Sequence, residues 1–159
     1  KYPKIVTEMC SAAMTAGSRI MDIYSGDDFG IEIKTDDSPV TLADKIADKV
    51  IGDKLKLEFL NIPIVSEESY CNSNSAKDKI YFLVDPLDGT KEFIKKTGEF
   101  TVNIALILNK KAELGVVYVP VTGELYYRDL DGASYLERGV DDAGSRSGRT
   151  KISLSLIHI

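Results

Sequence analysis

Between residues 80 and 128 the chain reads as one strand after another, and no other feature constrains its fold as much. "IYFLV" is too short for a helix of its own and apolar on both faces, which predicts a central strand. Phe100, Val102, Ile104, Leu106 and Leu108 then alternate with Thr101, Asn103, Ala105 and Ile107. "NKK" predicts a hairpin turn into "AELGVVYVP", and "VTGE" predicts another into "LYYR". Connections this short join antiparallel neighbours, because a parallel pair needs a crossover of a dozen residues or more. The centre of the chain is therefore an antiparallel meander.

Helical periodicity lies upstream of it. Ile5, Met9, Ala13, Ala16, Ile20 and Tyr24 recur at the spacing of one helix face, which Ser25-Gly26 can end. Phe29, Ile31 and Ile33 alternate with Gly30, Glu32 and Lys34 and predict a half-buried strand. The polar "TDDSPV" leads into a second helix whose apolar face is Leu42, Ile46, Val50 and Leu55. Pro63 halts that region, and "IPIVSEES" predicts a short buried strand ending in acids. Residues 70–79 and "GSRSGRT" read as surface loops, and "KISLSLIHI" alternates as a last strand would. The class is α+β, with two N-terminal helices packed on a largely antiparallel sheet in one domain over residues 1–159.

Composition narrows the function classes. Apolar residues make up 43% and charged residues 28%, as in an ordinary globular protein with a sizeable core. A net charge of −5 argues against a nucleic-acid polymer as partner, since phosphate backbones recruit basic surfaces. A small phosphorylated ligand stays compatible, because a bound cation reverses the local sign. Cys10 and Cys71 form no CxxC pattern, so zinc and redox motifs lack support. No apolar stretch approaches a membrane span and the start has no signal-peptide pattern, so a cytoplasmic location is expected.

The chemistry concentrates in "VDPLDGTKEF", where an apolar strand ends in two aspartates held around a proline and a glycine. An isolated D-P-x-D-G is an ordinary turn, its aspartates bonded to the backbone. Here, however, Asp85 sits at the rigid end of a buried strand, and a second strand, "IPIV", also ends in carboxylates, Glu67 and Glu68. Gly89 and Thr90 offer backbone N–H groups where "KEFI" can begin a helical turn, a place suited to an anion. Clustered carboxylates persist only if protonated or neutralised by cations. Oxygen ligands without His or Cys select hard ions, Mg²⁺ before zinc. Two such ions bridged by an aspartate can clamp the attacking and leaving oxygens of a phosphoryl transfer. Asp44, three residues after Thr41, fits a capping box, and a capping carboxylate can turn its free oxygen into a neighbouring site.

Other motifs fail on context. "DLDGA" at residues 129–133 echoes a phosphatase nucleophile loop, but it follows Tyr126-Tyr127-Arg128 instead of a buried strand, so a hairpin turn is expected. There is no G-x-x-x-x-G-K-[ST] loop and no EF-hand pattern after Asp85. The single histidine, His158, lies in the last predicted strand and leaves a nucleophile–histidine triad without a base.

"VDPLDGTKEF", the upstream "SEES" and "TLADKIAD" together resemble the inositol monophosphatase-like superfamily of Mg²⁺-dependent, lithium-sensitive phosphatases. The longer "DPLDGTKEFIKKTGEFTVNIALI" is similar to the bacterial 3′(2′),5′-bisphosphate nucleotidases of sulfur assimilation. The resemblance implies the N-terminal part of a layered αβαβα sandwich, without the family's C-terminal α/β portion. It implies Glu67, Asp85 and the Leu87 carbonyl as ligands of one Mg²⁺, with Asp85 bridging to a second ion held also by Asp88. It makes Thr90, supported by Asp44, the group that orients the attacking water, with Glu67 beside the reacting centre. Glu67, Leu87, Asp88, Gly89 and Thr90 then line the phosphate site. The implied reaction removes the 3′-phosphate of adenosine 3′,5′-bisphosphate to give AMP, in the cytoplasm or at the inner face of the membrane. An inositol or sugar phosphatase, and a non-catalytic domain that binds divalent metal, remain the alternatives. The uncovered sheet face and the edge after "LYYR" predict self-association.

Overall fold

The structure is a computed structural model and describes residues 3–68, 79–139 and 148–152. The chain opens with α1 (Pro3–Tyr24), a small hairpin of β1 (Glu32–Ile33) and β2 (Pro39–Val40), and α2 (Leu42–Glu58). Next come β3 (Ile64–Ser66), β4 (Ile80–Asp88), the short α3 (Thr90–Ile94) and β5 (Thr101–Leu108). β6 (Lys111–Val119), β7 (Glu124–Arg128), β8 (Ser134–Glu137) and β9 (Thr150–Ile152) complete it. β3 to β9 form one seven-stranded sheet in chain order, with β3 and β4 parallel and every later pair antiparallel. Helix α1 lies over β5, β6 and β7, and α2 packs on α1 and β4. The α+β class and the helix-on-sheet layering stand as the sequence predicts.

The turns follow their residues. Asn109 and Lys110, between β5 and β6, both have positive φ (50° and 66°), as a two-residue hairpin twisted with its strands requires. Residues 129–133 form the β7–β8 connection, where Asp129 N–H donates to the Ala133 carbonyl at 2.9 Å. The core is built from small residues between helices and large ones over the sheet. Ala12, Ala13, Ala16, Ala43 and Ala47 are fully buried, which lets α1 and α2 approach closely. Gly17 serves the same end against β6, since a Cβ there would stand 2.4 Å from Tyr118 Cε1. Phe82, Phe93 and Phe100 fill the space under the site, with ring centroids of Phe93 and Phe100 5.2 Å apart. Truncating a buried phenylalanine typically costs about 3–5 kcal/mol.

Five expectations change. The strand expected over residues 29–33 shrinks to Glu32–Ile33, because Gly30 (φ 56°) breaks the extended run and only β2 pairs with it. Ile31 and Ile33 are exposed there, while Phe29 is buried. The buried face of α2 is Ala43, Ala47, Ile51 and Leu55, with Leu42 exposed and Ile46 and Val50 only partly covered. Reading the bulkier residues rotated that face by one position, about 100° of helix; close contact with the alanines of α1 selects the smaller ones. Strand β4 buries Phe82 and Val84 toward the helices, whereas Leu83 on its other face is 42% exposed. Strand β3 is a half-buried edge, and the edge after β7 is covered by β8, whose "SYLE" the sequence reading passed over. Residues 70–78 of the expected loop, Cys71 among them, most of "GSRSGRT", His158 and the end of "KISLSLIHI" lie outside the described residues, although Thr150–Ile152 do pair as β9.

Candidate active site

The motif around Pro86 owes its geometry to a bulge. In a regular strand, residues three apart point to opposite faces. Asp85 pairs with Asn103 and Asp88 with Thr101, so three steps along β4 match two along β5. The extra residue restores the facing, and both aspartates border one groove, with Glu67, Asn103 and Leu83. Pro86 has no N–H to lose at such a break in the ladder. Beyond it, Gly89 has φ 93°, and an added Cβ would stand 2.7 Å from the Glu99 carbonyl and 3.3 Å from Phe100 Cα. Only glycine makes this turn into α3.

Parallel pairing brings the third carboxylate. Ser66 is the partner of Val84, so the residue after each faces the other across the ends of β3 and β4. Glu67 N–H donates to the Val84 carbonyl at 3.1 Å. The buried Ser66 hydroxyl donates to Asp48 of α2, fastening the strand to the helix just before Glu67. On the solvent side Lys34 Nζ donates to Glu68 Oε1 at 2.6 Å and to Glu67 Oε1 at 3.3 Å. Burial pulls the Lys34 ammonium down, but its bonds to Glu68 and Glu67 outweigh that and hold it above the usual lysine value.

Asp44 takes both roles weighed for it. Its Oδ2 accepts the Thr41 N–H at 2.7 Å and the Thr41 hydroxyl at 2.5 Å, closing the start of α2. Its Oδ1 accepts the Thr90 hydroxyl at 2.9 Å, across from α2 to α3. Thr90 Oγ1 also lies 3.2 Å from the Leu87 carbonyl. With Asp44 buried and its carboxylate bonded on both oxygens, Thr90 keeps its proton aimed inward and its lone pairs free to accept from a water.

Asp85 is the electrostatic centre. Burial and then the charges of Glu67 and Asp88 push its carboxyl up to about 7. Its Oδ1 is buried without a hydrogen-bond partner among the described residues. An unpaired buried carboxylate oxygen between two like charges is costly, and a hard cation removes both costs together. The donor set fits Mg²⁺: carboxylates of Glu67, Asp85 and Asp88, the Leu87 carbonyl, and no histidine or cysteine. The carboxylates do not stand in a closed cage. Among the described residues no three acidic, histidine or cysteine side chains converge at ligand spacing. Glu67 instead leans on Lys34.

The structure thus brings Asp44, Glu67, Asp85, Leu87, Asp88, Gly89 and Thr90 to one end of the sheet. Sequence reasoning missed Lys34, Asp48 and Asn103. Nothing local marks Lys34, since its partners are 33 and 34 residues away. Asp48 follows Asp44 by one helical turn, which could have placed both carboxylates on one side of α2. Asn103 alternates onto the face of β5 that points away from the helices, between the buried Val102 and Ile104, and its own stretch does not mark it.

A helical pair layered on a mixed sheet, with acidic groups gathered at parallel strand ends around a D-P-x-D-G-T bulge, defines a class of phosphatase-like folds. The profile of the Inositol monophosphatase family matches residues 3–155, and the chain belongs to that family. Over 124 residues it is 48% identical to the 3′(2′),5′-bisphosphate nucleotidase CysQ of Shigella flexneri, covering 77% of this chain and 50% of that protein. The crystal structure of CysQ from Bacteroides thetaiotaomicron superposes with a TM-score of 0.75 at 39% identity, covering 87% of this chain and 51% of that one. The extragenic suppressor protein SuhB of Bartonella henselae gives 0.77 at 29% identity, covering 84% and 52%. The chain spans about half the length of the curated relatives it matches.

Proposed function

We propose that this chain carries the metal- and phosphate-handling part of a Mg²⁺-dependent 3′(2′),5′-bisphosphate nucleotidase, which removes the 3′-phosphate of adenosine 3′,5′-bisphosphate. The observation that carries the reading is the joining of Thr90 to buried Asp44 beside the Glu67–Asp85–Asp88 group. Glu67, Asp85 and the Leu87 carbonyl would hold one Mg²⁺, and Asp85 with Asp88 a second. When bound, the ions supply Lewis-acid polarisation of the phosphoryl group and neutralise its charge.

The residues supply the rest. Thr90 donates its hydroxyl proton to Asp44 Oδ1, and its Oγ1 accepts from a water, fixing that water's lone pair toward phosphorus. As the water loses a proton, Thr90 takes it on Oγ1 and passes its own to Asp44, a general-base relay. The N–H groups of Gly89 and Thr90, at the turn set by the Gly89 φ of 93°, would receive phosphate oxygens. The choice of nucleotide over inositol phosphate rests on the curated relatives called CysQ, at 32–48% identity. Among the described residues no helix is long and apolar enough to cross a membrane, and the place of action proposed is the cytoplasm.

Phosphate release from adenosine 3′,5′-bisphosphate and from inositol 1-phosphate, with Mg²⁺ and with chelator, tests the reading. Mg²⁺-dependent preference for the nucleotide is expected. Preference for the inositol ester would overturn the substrate assignment. Tight Mg²⁺ binding with no hydrolysis of either ester would point to a metal-binding domain.

A further inference from the structure

Asp88 is exposed to solvent at the end of β4, and it faces the charge of Asp85 across the bulge. Repulsion alone would turn it outward. What holds it is Asn103 of β5, whose Nδ2 donates to Asp88 Oδ2 at 3.2 Å. Asn103 is itself held: the Thr101 hydroxyl donates to Asn103 Oδ1 at 3.0 Å. The amide orientation follows from chemistry. A carboxylate only accepts, so the amide must turn its N–H₂ to Asp88, which leaves Oδ1 for a donor, and Thr101 supplies one. Thr101 and Asn103 are two apart on β5 and share a face, and they are the ladder partners of Asp88 and Asp85.

We propose that Asn103, oriented by Thr101, is a positioning residue for Asp88, keeping that carboxylate turned toward Asp85 so that both can share a divalent cation. The inference rests on the reading of Asp88 as a ligand. A neutral donor suits the task. A lysine in its place would satisfy Asp88 as Lys34 satisfies Glu67 and Glu68, and would compete with the cation for it. An amide bonded to Asp88 Oδ2 leaves Oδ1 for a cation and adds no charge, and outer partners of this kind are typically worth about 10–100-fold in metal affinity.

Calorimetric titration of the protein with Mn²⁺ tests this, using Asn103→Ala, Asp88→Asn, the double variant, Thr101→Val and Thr101→Ser. Asn103→Ala should weaken, by about 10-fold or more, the binding step that Asp88→Asn removes. Thr101→Val should weaken the same step less, and Thr101→Ser should restore it. The double variant should match Asp88→Asn alone, because Asn103 acts only through Asp88; a merely structural asparagine would add its own loss. The side-chain amide signals of Asn103 in nitrogen-resolved NMR should move in Asp88→Asn. Loss of the step in Asp88→Asn with wild-type binding in Asn103→Ala overturns the positioning role and leaves Asp88 a ligand. Unchanged binding in Asp88→Asn overturns both.

Discussion

At the level of single residues, Asp85 concentrates the cost of the site. Its carboxyl is pushed up to about 7 from 3.8, first by burial and then by Glu67 and Asp88. The folded state therefore holds the proton more tightly than the unfolded chain. The resulting stability is fully present below about pH 4 and is lost as pH rises through about 7. Without divalent ions, the contribution of this group should fall between pH 4 and pH 8. Asp85→Asn should flatten that fall, and Mg²⁺ should restore stability to the wild type at pH 8 but not to the variant. Melting temperatures at several pH values check this; an equally steep fall in Asp85→Asn would place its cause elsewhere. Thr90 belongs to the same scale. Thr90→Ala removes the hydroxyl bonded to Asp44 and should cost turnover about 10²–10⁴-fold with metal affinity nearly unchanged. Asp44→Asn should lose turnover as well, since its amide has no basic oxygen to take the proton. Parallel loss of metal affinity in Thr90→Ala would remove it from the proton relay.

Among the elements, the strands were legible and the faces less so. Period-two alternation with a short turn admits few partners, so β5, β6 and β7 lie where "FTVNIALIL", "AELGVVYV" and "LYYR" put them. The face of α2 was misread because hydrophobicity favours Leu42 and Ile46, while the helix–helix contact favours Ala43 and Ala47. The carboxylates were legible as strand-end acids, but not the one-residue bulge that turns Asp85 and Asp88 the same way, nor the Lys34, Asp48 and Asn103 contacts made over long sequence distances. Two predictions concern elements. Gly89→Ala meets both the positive φ and the Glu99 carbonyl, and should destabilise by about 1–3 kcal/mol; a denaturation midpoint equal to wild type would contradict the turn. Asp48→Ala strips the buried Ser66 hydroxyl of its acceptor and should cost about 1–3 kcal/mol. Asp48→Asn, which keeps a side-chain acceptor, should cost clearly less by the same measurement. Equal losses would assign the effect to the charge instead of the bond that fastens β3 to α2.

For the molecule as a whole, the helices cover one side of the sheet, and the other side carries the groove. That groove has a volume of about 520 Å³ and runs from the carboxylates onto Val65, Leu83 and Ala105. Leu83 is 42% exposed in the middle of a central strand, and the short strand β3 forms an edge beside it. Apolar surface of this kind is a contact in waiting. The second cation would have only Asp85 and Asp88 among the described carboxylates, fewer protein ligands than the first with Glu67, Asp85 and the Leu87 carbonyl. These two facts lead to one prediction for the 159-residue chain by itself. It should bind one Mg²⁺ tightly and a second weakly, release phosphate from adenosine 3′,5′-bisphosphate slowly, and self-associate through the groove face. Leu83→Ser should lower the association without changing the Mg²⁺ stoichiometry, because the side chain points away from the helix layer, is no ligand and gains no charge that would compete with the cation. Light scattering over a concentration series reads the mass, calorimetry the stoichiometry and a phosphate assay the turnover. A monomer at every concentration with rapid Mg²⁺-dependent turnover would mean that Asp85 and Asp88 hold the second ion unaided and that the groove face is stable in water.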